Sequence, residues 1–165
     1  VIDVIWNKYP RMTELEVRSH LAKLGFRGET VFKPCEALSG GELARISLAI
    51  AVITAAAMPV PTLIFDEVDS GIGGATAEVV GQLLHRLGES RQVLCVTHLP
   101  QVAACGDNHW RVEKQFTGET TRSSLRVLTA RERVEEVARM LAGISISDNT
   151  RAVAQEMLRG GGHES

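Results

Sequence analysis

The chain has 165 residues, of which 44% are hydrophobic and 23% charged, and 18 basic against 20 acidic side chains leave a net charge of −2. This length is typical of one domain that builds its core without disulfides or metals. The apolar content argues against a disordered chain. The charge balance gives no overall electrostatic signal for nucleic-acid binding.

The cysteines and the apolar runs indicate the class of protein. Cys35, Cys95 and Cys105 are an odd number without CxxC spacing, which indicates reduced thiols of a cytosolic protein rather than a disulfide framework or zinc site. No apolar run reaches the ~18 residues of a bilayer-spanning helix, and the start has no signal-peptide pattern. Since the chain begins with Val1 instead of Met, we expect it to be a piece of something longer.

The first part of the chain predicts one helix and a connector. Residues 1–11 are too short to classify. Thr13 and Glu16 form a capping box, after which apolar residues follow at helical spacing as far as Gly25, a C-cap residue. Residues 26–38 are expected to be an irregular connector.

A second capping box, at residues 39–42, opens the most apolar helix of the chain. Apolar side chains cover most of its circumference over residues 43–58, so we expect it to be largely buried. Pro59 and Pro61 are expected to end it, because proline cannot continue a helix.

Two short apolar runs predict parallel strands. Residues 62–65 end at an acidic pair and have the pattern of a strand buried on both faces. A glycine-rich loop and an amphipathic helix over residues 75–87 follow. The second run, residues 93–96, ends at Thr97 and His98. This alternation of helix and strand predicts an α/β fold with a mainly parallel sheet flanked by helices.

The rest of the chain predicts a hairpin and further helices. Residues 100–104 are expected to form one or two helical turns. Residues 109–114 and 124–128 alternate around Gly118, which is typical of a hairpin. Two helices are then expected, over residues 130–142 and 149–159, before a glycine tail at residues 160–162 that should fray.

Asp66 and Glu67 are the first candidates for chemistry. They follow a strand at its carboxyl end, which is the edge where ligands bind in open α/β sheets. In nucleotide hydrolysis, one carboxylate associates with Mg²⁺ and another residue orients the attacking water. The alternative interpretation, equally weighted on these two residues alone, is a strand that ends in two solvated acids.

Two further groups are weaker candidates when taken singly. The box at residues 39–42 is a good helix cap in any protein, although a helix N-terminus with two glycines also exposes amides to a phosphate. His98 follows the second strand, where it could bond a phosphate or a water, but such a histidine is more often only a polar loop residue. Asp69 and Ser70 would ordinarily form a turn.

In combination, these segments resemble the signature, Walker B and switch-histidine motifs of the ATP-binding cassette (ABC) ATPases, a P-loop NTPase fold. The matching segments are LSGGE at 38–42, LIFDE at 63–67 and VTH at 96–98. The resemblance implies ATP and Mg²⁺ as cofactors. It implies that Asp66 is the Mg²⁺-linked residue, Glu67 the catalytic carboxylate, Asp69 a cofactor-binding residue of the D-loop and His98 the catalytic switch histidine. The implied signature residues, which contact nucleotide, are Ser39, Gly40, Gly41 and Glu42.

Within these ATPases, residues 38–160 look like the RecN family of bacterial double-strand-break repair, which is related to the SMC proteins. The segments that carry this likeness are DEVDSGIGG at 66–74, VTHLPQVA at 96–103, DNHWRVEK at 107–114 and RVEEVARMLAG at 133–143. Residues 1–37 are more similar to the segment before the signature in ABC-F translation factors. The resemblance therefore divides the chain into a helical segment 1–37, a C-terminal head part 38–160 and a frayed tail 161–165.

The sequence contains no G-x-x-x-x-G-K-[ST] loop to hold phosphates. We therefore interpret the chain as the C-terminal part of an ATPase head. The resemblance implies three partners, namely a second head in a homodimer, the missing N-terminal head part, and DNA bound through the complete protein. It implies no membrane, and a cytoplasmic location that includes the nucleoid. An ABC-F-like ribosome-associated ATPase and a catalytically incompetent fragment remain alternatives.

Overall fold

The computed structural model describes residues 1–8, 12–53, 60–116, 118, 120–143 and 145–161. The helices of the described residues are α1 (Ile2–Lys8), α2 (Glu14–Lys23), α3 (Gly40–Ile53), α4 (Gly74–Gly88), α5 (Pro100–Ala104), α6 (Ala130–Ala142) and α7 (Asp148–Gly160). The strands are β1 (Thr62–Phe65), β2 (Gln92–Cys95), β3 (Trp110–Phe116) and β4 (Thr121–Val127).

Strands β1 and β2 form a parallel pair in which Thr62 lies opposite Gln92 and Phe65 lies opposite Cys95. Helix α4 connects them, as a crossover between parallel strands requires. The predicted α/β fold with a parallel sheet and flanking helices is therefore confirmed.

The main core joins the N-terminal helices to one face of this sheet. Ile5 of α1, Leu21 of α2 and Leu48 of α3 are fully buried, and Phe65 of β1 is 5% exposed. Burial of each such side chain contributes roughly 1.5–3 kcal/mol. Within residues 1–11, which the sequence left unclassified, residues 2–8 thus supply helix α1 to the core.

The expectation that β1 is buried on both faces is wrong. Ile64 is 70% exposed, and on the neighbouring strand and its end Leu94 and Val96 are 36% and 62% exposed. Side chains alternate along a strand, and the described residues cover only the face that carries Phe65. The other face is an open apolar surface, which we call the open sheet face (Ile64, Leu94 and Val96).

Helix α3 is mostly buried, as its composition predicts, although Leu43 in its first turn is 45% exposed. Its predicted end at Pro59 lies outside the described residues. The connector 26–38 is more regular than expected, because it contains two short 3₁₀ turns, Gly28–Phe32 and Cys35–Ala37. Val31 anchors the first of these turns in the core with 2% exposure.

The C-terminal elements form a second unit of packing. Strands β3 and β4 pair antiparallel, which confirms the predicted hairpin. Helices α6 and α7 pack through a small cluster of Val137, Ala138 and Ala154. The tail predicted to fray begins with Gly160 at the end of α7 and Gly161 as its C-cap, whose N–H donates to the Met157 carbonyl at 2.9 Å. The rest of the tail, residues 162–165, lies outside the described ranges. Among the described helices, none is both long enough and apolar enough to cross a membrane.

Candidate functional site

The parallel pairing brings two polar loops to one edge of the sheet. Asp66 and Glu67 follow β1, and Thr97 and His98 follow β2. The backbone N–H of Val96 donates to the Phe65 carbonyl at 2.9 Å, so the two strands leave the sheet side by side. His98 therefore lies at the same edge of the sheet as the acidic pair.

The acidic pair is open to solvent at this edge. Asp66 and Glu67 are both exposed, and neither carboxylate makes a hydrogen bond or ion pair with the described residues. Glu67 has a backbone φ of 58°. A left-handed conformation in a residue other than glycine costs roughly 1–3 kcal/mol and occurs most often where surrounding structure imposes it.

Asp69 occupies a different environment, since it is 1% exposed. Its Oδ2 accepts hydrogen bonds from the backbone N–H groups of His98 at 3.1 Å and Leu99 at 3.3 Å, and from the hydroxyl of Thr97. The Thr97 hydroxyl in turn accepts from the Leu99 N–H at 3.0 Å. Asp69 therefore holds the loop that carries the candidate switch histidine.

The His98 ring lies beside this buried carboxylate. Its Nδ1 is 3.4 Å from Asp69 Oδ2, while 69% of the side chain is exposed. The Nδ1 side of the ring thus faces Asp69, and much of the side chain faces solvent. This arrangement can present an imidazole to a ligand at the sheet edge.

The box at residues 39–42 has the predicted capping geometry at the start of α3. The Glu42 N–H donates to Ser39 Oγ at 3.3 Å, and the Ser39 N–H donates to Glu42 Oε2 at 2.8 Å. This backbone hydrogen bond is the main reason why the pKa of Glu42 lies below its usual value; burial opposes the shift and Lys33 adds to it.

Gly40 and Gly41 pack against the turn that follows β1. A Cβ atom on Gly40 would lie 2.8 Å from Glu67 Oε2. One on Gly41 would lie 2.7 Å from the Ser70 Cβ and 2.9 Å from the Glu67 carbonyl oxygen. The sequence suggested that these glycines expose the backbone to a phosphate. In the structure, their lack of a side chain also leaves room for the acidic turn of the same chain.

Arg45 is a residue of this region that sequence reasoning missed. It is 5% exposed, its Nη1 donates to the Ser70 carbonyl at 2.7 Å, and its guanidinium lies 5.7 Å from the Phe26 ring centre. Burial lowers the pKa of Arg45. An arginine inside an otherwise apolar helix was the available signal, and it ties α3 to the turn after β1.

Comparison with known proteins finds relatives that share the name DNA repair protein RecN. No protein-family profile matches the chain. The chain is 55% identical over 121 residues to the DNA repair protein RecN of Xylella fastidiosa (strain 9a5c), a match that covers 73% of this chain and 22% of that protein. It is 56% identical over 120 residues to RecN of Vibrio cholerae, covering 73% and 22%. RecN of Bacillus subtilis is 39% identical over 132 residues, covering 80% and 23%.

A solved structure from work on ATP-driven dimerization and DNA-stimulated activation of SMC ATPases matches the fold. The TM-score is 0.52 at 18% sequence identity, and the match covers 88% of this chain and 100% of the other. The chain itself spans about a fifth of the length of the curated relatives that it matches. The resemblance to the RecN family is therefore confirmed: the chain is a RecN-type segment with the fold of an SMC ATPase.

Proposed function

We propose that this chain is the C-terminal part of an ATP-hydrolysing head of RecN type that acts in bacterial DNA double-strand-break repair. The observation that carries the proposal is the shared sheet edge, at which Asp66 and Glu67 follow β1 and His98 follows β2. In open α/β sheets this edge is where ligands bind. The similarity to RecN proteins and the SMC ATPase fold support the same conclusion.

Asp66 is the proposed Mg²⁺ residue. Its exposed carboxylate is free of partners among the described residues, which fits a cation that favours oxygen ligands. The described residues contain no group of three His, Cys, Asp or Glu side chains that could hold a metal by themselves. Mg²⁺ usually combines one or two carboxylates with nucleotide phosphates and water, and it neutralises charge on those phosphates.

Glu67 and His98 are the proposed catalytic residues. The free carboxylate of Glu67 can accept a proton from a water and orient it toward a terminal phosphate. His98 can bond a phosphate oxygen or that water, because its Nδ1 side faces Asp69 and most of the side chain is exposed. Asp69 itself is enclosed by the Thr97–Leu99 backbone, so we propose that it positions His98 and does not meet nucleotide directly.

Residues 39–42 are proposed to face nucleotide held by a second head in a homodimer. Helix N-termini attract anions, and the N-terminus of α3 carries the exposed Ser39 and Gly40. Ser39→Asp tests this role, since Asp also caps helices well. The variant should keep its fold but lose ATP-driven association, because a carboxylate would face the phosphate. Ser147→Asp, at the N-cap of α7, is the matched control and should retain association.

The loop that binds the nucleotide phosphates must come from another part of the protein, because this sequence contains no P-loop. The open sheet face supports this, since an exposed apolar surface on the β1–β2 pair favours a covering element. We propose that the N-terminal head part covers it, that DNA is bound through the complete protein, and that the protein acts in the cytoplasm at the nucleoid. The ABC-F alternative, based on residues 1–37, is not favoured by the relatives found.

The test is Glu67→Gln in this chain combined with the N-terminal head part that carries the P-loop (the P-loop part). ATP binding should stay intact, hydrolysis should slow by at least ~10²-fold, and the ATP-bound dimer should persist. Glu89→Gln, at the exposed end of α4, is the control and should hydrolyse ATP like the wild type. Hydrolysis near the wild-type rate in Glu67→Gln would remove Glu67 from the proposed mechanism.

A further inference from the structure

The Glu42 carboxylate is the centre of a small network at the N-terminus of α3. Its Oε2 accepts from the Ser39 N–H at 2.8 Å and from the Ser39 hydroxyl at 3.0 Å. The ammonium of Lys33 donates to both carboxylate oxygens, at 3.2 and 3.1 Å. Lys33 is thus the cation that pairs directly with this carboxylate, while Arg45 of α3 acts on it only at longer range.

The position of Lys33 is set by the connector that precedes the signature. Val31, two residues earlier, is 2% exposed and anchors the first 3₁₀ turn. The Lys33 carbonyl accepts a hydrogen bond from the amino group of Val1 at 3.0 Å. With its backbone fixed on both sides, Lys33 needs only its side chain to reach Glu42, nine residues later.

The charges explain why this contact matters for the proposed site. Glu42 keeps a negative charge three residues after Ser39, and an approaching phosphate would be repelled by it. Lys33 offsets that charge and holds the carboxylate on the Ser39 N–H and hydroxyl. The pair is partly exposed, with 36% of the Lys33 and 20% of the Glu42 side chain accessible, so it contributes little to stability.

We infer that Lys33 is a positioning residue for the signature loop: it fixes the Glu42 carboxylate on Ser39 and offsets its charge, so that Ser39 can face a phosphate. This inference rests on the proposed function of residues 39–42. It also gives the connector a role in that site, although Lys33 lies outside the LSGGE segment.

The first test uses the chain by itself. In Lys33→Met, the Glu42 carboxyl should titrate at a higher pH, and the Ser39 amide proton should move upfield in NMR spectra as its hydrogen bond weakens. Lys33→Arg should restore both signals, because a guanidinium also binds carboxylates. Lys23→Met, on the exposed end of α2, is the matched charge control and should change neither. Unchanged Glu42 and Ser39 signals in Lys33→Met would overturn the inference.

The second test measures ATP-driven association in the protein complemented with the P-loop part. Lys33→Met should weaken it by up to about fivefold, the ratio that corresponds to the loss of a partly exposed ion pair, and Lys33→Arg should retain it. Unchanged association in Lys33→Met, when Ser39→Asp abolishes association, would also overturn the inference. If the wild type does not associate with ATP at all, the proposed function fails, and the Glu42 titration alone decides the role of Lys33.

Discussion

The carboxylate of Asp69 and the backbone N–H of His98, 3.1 Å apart, join the turn after β1 to the loop after β2. Asp69 is 1% exposed, whereas 69% of the His98 side chain is accessible. A buried acid therefore determines where an exposed imidazole lies. The acidic pair Asp66 and Glu67 stays free to contact a ligand at the same edge.

Asp69→Ala should destabilise the fold and loosen the His98 loop. The His98 N–H would lose its acceptor and the Leu99 N–H would keep only the Thr97 hydroxyl, and a donor left unsatisfied in such a partly buried loop costs about 1–3 kcal/mol. Urea unfolding measures the loss. The loop should also show faster amide hydrogen exchange at these two residues.

Asp66→Ala is the matched control for this prediction. Asp66 lies in the same turn, but it is exposed and free of side-chain partners among the described residues, so its removal should change stability by less than ~0.5 kcal/mol. Equal stability losses in Asp69→Ala and Asp66→Ala would mean that the Asp69 bonds do not hold the loop.

Gly41→Ala should destabilise the chain even though alanine favours helices. The added Cβ would lie 2.7 Å from the Ser70 Cβ and 2.8 Å from the Ser70 carbonyl oxygen. Overpacking of this kind costs roughly 1–3 kcal/mol, which outweighs the ~1 kcal/mol or less gained by replacing a helical glycine.

Gly88→Ala provides the comparison, because Gly88 also lies in a helix but a Cβ there would meet nothing within 4 Å. It should leave stability unchanged or raise it by up to ~1 kcal/mol. A Gly41→Ala protein as stable as the wild type in thermal unfolding would show that α3 and the turn after β1 are not in close contact.

Local patterns predicted the elements of this fold well. The capping boxes at Thr13 and at residues 39–42 have the predicted geometry, and the apolar runs became β1 and β2 in parallel. The hairpin followed from simple alternation. Each of these features depends on residues that lie close together in the sequence, so each can be recognised from the sequence of one chain.

The features that sequence did not predict depend on distant partners. The exposure of Ile64 depends on which face the helices cover, and its apolar character gives no sign of that. Lys33 and Arg45 act through Glu42 and the Ser70 carbonyl, contacts that no spacing rule connects. The burial of Asp69 likewise follows from the path of the loop after β2.

The pH dependence of stability should include a contribution from Glu132 at the start of α6. The pKa of Glu132 is lowered from 4.5 to about 2, first by the Thr129 backbone N–H and then by Arg126 of β4 and the Thr129 hydroxyl. Because the folded-state pKa is depressed, the stabilisation is fully present above the unfolded value and is lost as the pH falls from about 4.5 to about 2.

Urea unfolding of the wild type and Glu132→Gln between pH 7 and pH 2 checks this contribution. The variant should be less stable at pH 7, and the two proteins should converge at the acid end. Parallel stability curves over the whole range would contradict the assigned pKa. Glu14→Gln, in the exposed first turn of α2, is the control. Because Glu132 is still present in this variant, its stability should depend on pH as that of the wild type does.

We propose that this chain carries one half of an ATPase site and depends on a P-loop part for the other. Asp66 and Glu67 would meet a triphosphate with two negative charges, and the N-terminus of α3 offers only about half a positive charge in return. Calorimetric titration of the purified chain with Mg·ATP tests the claim most directly. We predict no micromolar binding by the chain by itself, and binding together with hydrolysis when the P-loop part is added; micromolar binding by the chain without that part would contradict the account.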